Sequence, residues 1–168
     1  MKIMVPLVTS LFLPVLAQAS GECGNPDDVA TKFMMAHLQQ DAGKLYELTA
    51  SSVRGDKGQF VAGYIDEHST SSTYQEFWEN NFEFAFSSVE VSSGVAKIDI
   101  ESTYPDAMSV ATRLAKDGEI TQLETTADWD FLHDKMNEDG FSKVSREGKL
   151  HLLCEEKGWR VIRPKIVE

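Results

Sequence analysis

The chain has 168 residues, 42% hydrophobic and 10% aromatic, a composition that suits one ordinary globular domain rather than a disordered tail or a solenoid. Asp and Glu number 27 against 16 Lys and Arg, so the net charge of -11 opposes a phosphate backbone and sets nucleic acid aside as a partner. No run of about 18 apolar residues follows the N-terminal segment and no Cys or His cluster occurs, which sets aside a membrane span and a zinc ribbon.

Residues 1–19 read as a signal peptide. Lys2 precedes an apolar run from Ile3 to Leu16, broken by Pro6, Thr9, Ser10 and Pro14, and the small residues Ala17 and Ala19 suit cleavage before Ser20. The run is too short, and too rich in proline, to stay as an anchor. A lipid modification at Cys23 is not expected, because Ser20-Gly21-Glu22 lacks the required pattern. Residues 20–168 are then one domain with a periplasmic or secreted address and no stable membrane anchor after cleavage. Cys23 and Cys154 are the two cysteines, and in an oxidising compartment the expected arrangement is a bridge between them. The competing role, a redox or nucleophilic thiol, usually wants a Cys-x-x-Cys spacing that is missing here.

Asn25-Pro-Asp-Asp opens the first helix, with a capping side chain, proline at the first helical position and two acids at the positive end of the helix dipole. Val29, Ala30, Phe33, Met34, Ala36 and His37 form its apolar stripe. Asp41 opens a shorter helix through Leu45, Tyr46 and Leu48, which Ser51 to Gly58 breaks. Residues 59–68 carry Phe60, Val61, Tyr64 and Ile65 at helical spacing, and His68 to Thr73 reads as a loop. Thr73-Tyr-Gln-Glu76 has capping-box spacing ahead of a helix with Phe77 and Trp78 that ends near Asn80 and Asn81.

The period then changes to two. Phe82, Phe84 and Phe86 alternate, Val89 and Val91 continue on the other parity, and a strand with a bulge near Ser87 and Ser88 reconciles them. Ser92-Ser93-Gly94 turns into a second strand in which Ala96, Ile98, Ile100 and Ser102 face inward while Lys97, Asp99 and Glu101 face water. Within 105–148, Met108, Ala111, Leu114 and Ala115 are spaced like a helix that stops at Asp117-Gly118. Thr126 caps a helix carrying Trp129, Phe131, Leu132 and Met136, with Gly140 as its stop. A closing hairpin pairs Leu150, Leu152 and Cys154 with Trp159, Val161 and Arg163 across Glu156-Lys157-Gly158.

This is an α+β layout, helices first and a meandering antiparallel sheet after. The opening Asn25 to Phe33, the short helix Asp41 to Thr49 and the closing Lys149 to Ile162 resemble exported members of the nuclear transport factor 2-like superfamily. The resemblance implies N-terminal helices packed in a strongly curved sheet, a cone with a cavity open at one end. Here the cone carries a partly helical insertion around 105–148, where the family pattern calls for further strands. The superfamily includes isomerases, dehydratases, carriers and domains without known chemistry, so the fold leaves the activity open.

Enzymes of the superfamily use a carboxylate or a His and Asp pair at the cavity mouth. Asp99 is the tempting carboxylate, but its parity puts it on the wet face. His37, at the edge of the first apolar stripe, and Tyr46 and Tyr64 are the candidates for the cavity lining, against ordinary core roles for each. His151 and His68 read as surface residues. Asp130, His133 and Asp134 share one helix face and are weak metal candidates, against a simply acidic, solvated face. No cofactor is expected, and no phosphate loop, nucleophile elbow or zinc-protease motif occurs. The expected function is a non-catalytic exported domain that holds a ligand or protein through the cone mouth or the acidic surface. One form of it is an immunity protein for a basic toxin, with charge to speed the encounter. The other class is a small-molecule isomerase, dehydratase or hydrolase that uses the cavity.

Overall fold

A computed structural model describes residues 23–68, 72–121 and 126–166, with side chains described for most of them. Residues 1–19, expected to be a signal peptide, lie outside the described residues. The elements run α1 (Pro26–Leu38), α2 (Ala42–Leu48), α3 (Ser51–Arg54), α4 (Lys57–His68), α5 (Ser72–Asn81), β1 (Glu83–Ser92), β2 (Val95–Pro105), α6 (Ala107–Asp117), α7 (Thr126–Asp139), β3 (Lys143–Glu155) and β4 (Gly158–Ile166). The chain is α+β, with one four-stranded antiparallel sheet in the order β1-β2-β3-β4.

The helix starts follow from their caps. Asn25 accepts from the Asp27 N–H at 3.2 Å, Asp41 from the Lys44 N–H at 2.8 Å and Asp106 from the Ser109 N–H at 3.0 Å. Gly118, at φ 76°, closes α6 in the left-handed conformation that glycine adopts without strain. Helix boundaries differ from the sequence reading in three places, the first being α4, which begins at Lys57, inside the expected break, rather than at 59. The break at 51–58 contains the short α3, and α5 begins at Ser72, so Thr73 lies inside the first turn rather than ahead of it. Part of the expected loop, 69–71, lies outside the described residues.

The sheet is a meander of hairpins. Ser93 and Gly94 both have positive φ, 50° and 76°, the geometry of a two-residue turn whose twist matches the strands it joins. The register slips between Phe86 and Ser88, and this bulge returns Val89 and Val91 to the inward parity opposite Ile98 and Ala96. Both valines are nevertheless exposed, because this end of the edge strand lies beyond the helical cover. Strands β2 and β3 run longer than the alternation alone indicated. Their pairing continues to Tyr104 opposite Val144 and Pro105 opposite Lys143. Polar residues at Ser145, Glu147 and Lys149 hide that extension from a hydrophobic pattern, since they occupy the wet face.

Two packed clusters result. The first buries Ala30, Phe33, Met34 and Leu45 of the helices against Ile98, Leu150, Leu152, Trp159 and Val161 of the sheet. The second joins Phe77 of α5 to Val110, Ala111 and Leu114 of α6 and Leu132 and Met136 of α7. The α6–α7 hairpin supplies the helices expected within 105–148, whose last residues, 143–148, belong to β3, and its ends are tied where the Asp106 N–H donates to the Ser142 carbonyl at 2.9 Å.

The N-terminal segment is fastened at several points. Cys23 and Cys154 form a disulfide with Cα atoms 5.8 Å apart, and the indole of Trp159 donates to the Gly24 carbonyl at 2.8 Å. Thr49 bridges Val161 in parallel, and both the N–H and the hydroxyl of Ser51 donate to Glu155 at 2.8 Å. Among the described residues no helix is long and apolar enough to cross a membrane.

Candidate functional site

Where the helices cross the inner face of the sheet, a cavity of about 580 Å³ lies between them. That volume falls in the range of small-molecule sites, about 300–1,000 Å³. Its apolar wall comes from Phe33 and Met34 of α1, Phe60 of α4, Trp78 of α5, and Ile100 and Leu150 of the sheet. The sheet's inner face turns small or polar at Ser102 and Gly148, so no large side chain fills the gap there.

Its polar groups are few. His37, from the last turn of α1, meets Tyr64 of α4, with the phenolic oxygen 3.1 Å from Nδ1 and 3.4 Å from the His37 carbonyl. The hydroxyl donates to Nδ1 when the neutral ring carries its proton on Nε2, and accepts from it in the other tautomer. Burial pushes the Tyr64 hydroxyl up to about 12, because the phenolate would lose its hydration. Tyr64 therefore stays a neutral hydrogen-bonding group throughout the physiological range. Thr49 commits its hydroxyl to the Leu45 carbonyl at 2.8 Å.

Of the three residues expected at a cavity, His37 and Tyr64 line it together. Tyr46 does not. It lies outside the lining, donates its hydroxyl to the Gly55 carbonyl at 3.2 Å, and carries the Arg54 guanidinium 4.6 Å over its ring. The reason is its place on α2: Leu45 and Leu48 take the inward face, and Tyr46 turns toward the connection to α4.

The Asp130, His133 and Asp134 grouping also separates. On α7 the apolar stripe runs Trp129, Leu132, His133, Met136, and it carries His133 wholly into the second cluster. Its ring stacks on Phe77 at 4.8 Å between centroids and meets Trp78 edge-on at 6.4 Å, while Asp134 faces solvent. Burial pulls the His133 pKa down, and the nearby carboxylates Asp130 and Asp134 oppose that shift. Among the described residues no group of three or more His, Cys, Asp or Glu is placed to hold a metal ion.

Asp99 lies on the outer face as its parity implied. Lys149 sits 2.8 Å away and the Ser88 hydroxyl donates to it at 2.6 Å, and these hydrogen bonds hold its carboxyl below the usual range. His68 ends α4, and His151 pairs with Arg163 across β3 and β4.

Sequence reasoning missed Trp78 and Arg146 as lining residues. Arg146 belongs to β3 opposite Ser102, on the same parity as Leu150 and Leu152, and it is exposed at the open side of the cavity. The signal was present: counting back from Leu152 and Leu150 in steps of two passes through Gly148 to a lone arginine on an inward row. It became readable only once the strand was known to begin at Lys143.

No protein-family model matches the chain, and no curated protein matches it. Among solved structures, the chain is similar to a SEC-C motif containing protein from Rhodopseudomonas palustris, with a TM-score of 0.43 and 9% identity over 85% of this chain and 79% of that one. A likeness of this size assigns no activity to the chain.

Proposed function

We propose that the chain is an exported, non-catalytic binding domain that takes a small apolar molecule into the cavity between its helices and its sheet, in the manner of a nuclear transport factor 2-like cone. The cavity itself carries this reading: about 580 Å³ with a predominantly aromatic and aliphatic wall and a few hydrogen-bonding groups that fix orientation. The polar groups on the wall suit recognition more than turnover. Tyr64 and His37 are hydrogen-bonded to each other, Thr49 is engaged with backbone, and the carboxylate among the lining residues, Glu147, sits on the outward parity of β3 opposite Glu101. The leader-like residues 1–19 and the Cys23–Cys154 bridge support an address outside the reducing cytosol.

The test is fluorescence titration of the protein with a neutral apolar dye such as N-phenyl-1-naphthylamine. Saturable enhancement is expected with the unaltered chain. Ser102→Trp, which fills the cavity from its small-residue side, should weaken the dye at least tenfold while leaving the fold intact by circular dichroism. Equal dye binding by both proteins would place the dye elsewhere and remove the basis of the proposal. Turnover of an isomerase or esterase substrate that is lost in His37→Ala, with stability unchanged, would replace it by the enzyme reading.

A further inference from the structure

We infer that the occupant of this cavity is an apolar molecule with a carboxylate head, and that Arg146 at the open side is the group that recognises it. This rests on the cavity reading above and specifies the class of ligand. Two basic residues line the cavity, Arg146 and Lys149, and they are placed differently. Lys149 pairs across the strands with Asp99 and holds its ammonium 2.8 Å from that carboxylate, on the outer face of the sheet. Arg146 stands on the inward row with Gly148 and Leu150, and no hydrogen bond or ion pair to its guanidinium is found among the described residues.

What sets Arg146 apart is its position on the inward row at the cavity, beside apolar lining residues. Lys149, the other Lys or Arg of the lining, is already committed to Asp99, which leaves the Arg146 guanidinium as the cation facing the cavity. Glu147 follows Arg146 directly, but strand alternation sends it to the opposite face. The groups that share the inward row near Arg146 are instead Ser102 opposite it and Gly148 two residues on. A guanidinium beside an apolar pocket, with a hydroxyl across from it and space in front of it, offers a planar donor fork to a carboxylate. The apolar body of the same molecule would lie against Phe33, Phe60 and Trp78. The surrounding negative charge disfavours a dianion more than a monoanion, which favours a carboxylate over a phosphate ester.

The experiment is displacement of the neutral dye by three probes that share a ten-carbon chain and differ in the head group: decanoate, decanol and decyltrimethylammonium. At low salt and pH 7.5 decanoate should displace at least tenfold more tightly than decanol, with the cation weakest. Arg146→Gln should remove the advantage of decanoate over decanol, with any change in dye and decanol affinity smaller than the loss for decanoate, and Arg146→Lys should restore part of it. As Arg146 is exposed, neither variant should alter the melting temperature by more than a degree or two, which separates lost recognition from lost fold. Equal affinity for decanoate and decanol, or a decanoate preference that survives Arg146→Gln, would overturn the assignment while leaving the cavity reading intact. Failure of the dye itself to bind would overturn both.

Discussion

Removal of the Cys23–Cys154 bridge should cost this protein most of what a single covalent link can contribute. The two cysteines are separated by 131 residues in sequence, so the bridge closes nearly all of the described chain into one loop. In the chain-entropy treatment, a loop of that length lowers the entropy of the unfolded chain enough to stabilise the fold by about 5 kcal/mol at 25 °C. In the native state the same segment is held independently, by the Trp159 indole on the Gly24 carbonyl and by the Thr49 to Val161 bridge. A Cys23→Ala, Cys154→Ala variant should therefore keep the native near-ultraviolet circular dichroism spectrum. Its unfolding free energy in urea should fall by about 3–5 kcal/mol. The urea m-value should rise, because the uncrosslinked unfolded chain exposes more surface. A loss below about 1 kcal/mol with an unchanged m-value would refute the view that the bridge acts mainly on the unfolded state.

Other expectations follow from single residues. Leu152, fully buried between α1 and the sheet, should lose about 2–5 kcal/mol of stability on truncation to Ala, whereas Val53→Ala, at a residue 52% exposed, should change it by less than about 0.5 kcal/mol in the same urea assay. In an alkaline titration followed at 295 nm, one tyrosine should ionise near pH 12, and Tyr64→Phe should remove that step. The folded chain holds the Tyr64 proton more tightly than the unfolded chain does, so stability from this group is intact below pH 10 and declines as pH rises toward 12. His133 has the opposite sign. Its pKa is depressed in the fold, so its contribution is intact above the unfolded value near 6.5 and is lost as pH falls below it. His133→Phe should accordingly flatten the fall in melting temperature between pH 7 and pH 5; an unchanged slope would show that other groups set it.

The fold was legible where local chemistry is loud. Asn25-Pro-Asp-Asp, the Ser93-Gly94 turn and the Gly118 and Gly140 stops each force one backbone outcome, and the corresponding elements stand where the pattern puts them. Helices α6 and α7 were readable for the same reason. Strand β3 was readable only in its second half, because Lys143 to Lys149 alternates polar residues with Val144, Arg146 and Gly148 rather than with bulky apolar ones. That gap hid Arg146. The parity of Asp99 was correct because its neighbours Ile98 and Ile100 fix the inner face without ambiguity. Tyr46 and His133 went the other way for one reason: helical spacing says which residues share a face, and only tertiary packing says which face is covered. On α7, Trp129, Leu132 and Met136 claim the covered face and take His133 with them, against the acidic character of the surrounding sequence.

The proposed occupant of the space between helices and sheet is an apolar molecule. The most direct test of that occupancy is methyl-selective nuclear magnetic resonance of the protein titrated with decanoate. Saturable shifts are expected at the methyls of Ile100, Leu150, Met34 and Leu45, which line the cavity, with Val110, Leu114 and Leu132 of the second cluster unmoved. Shifts confined to exposed residues such as Met108 and Val53, or no saturable shift at Ile100 and Leu150, would contradict it.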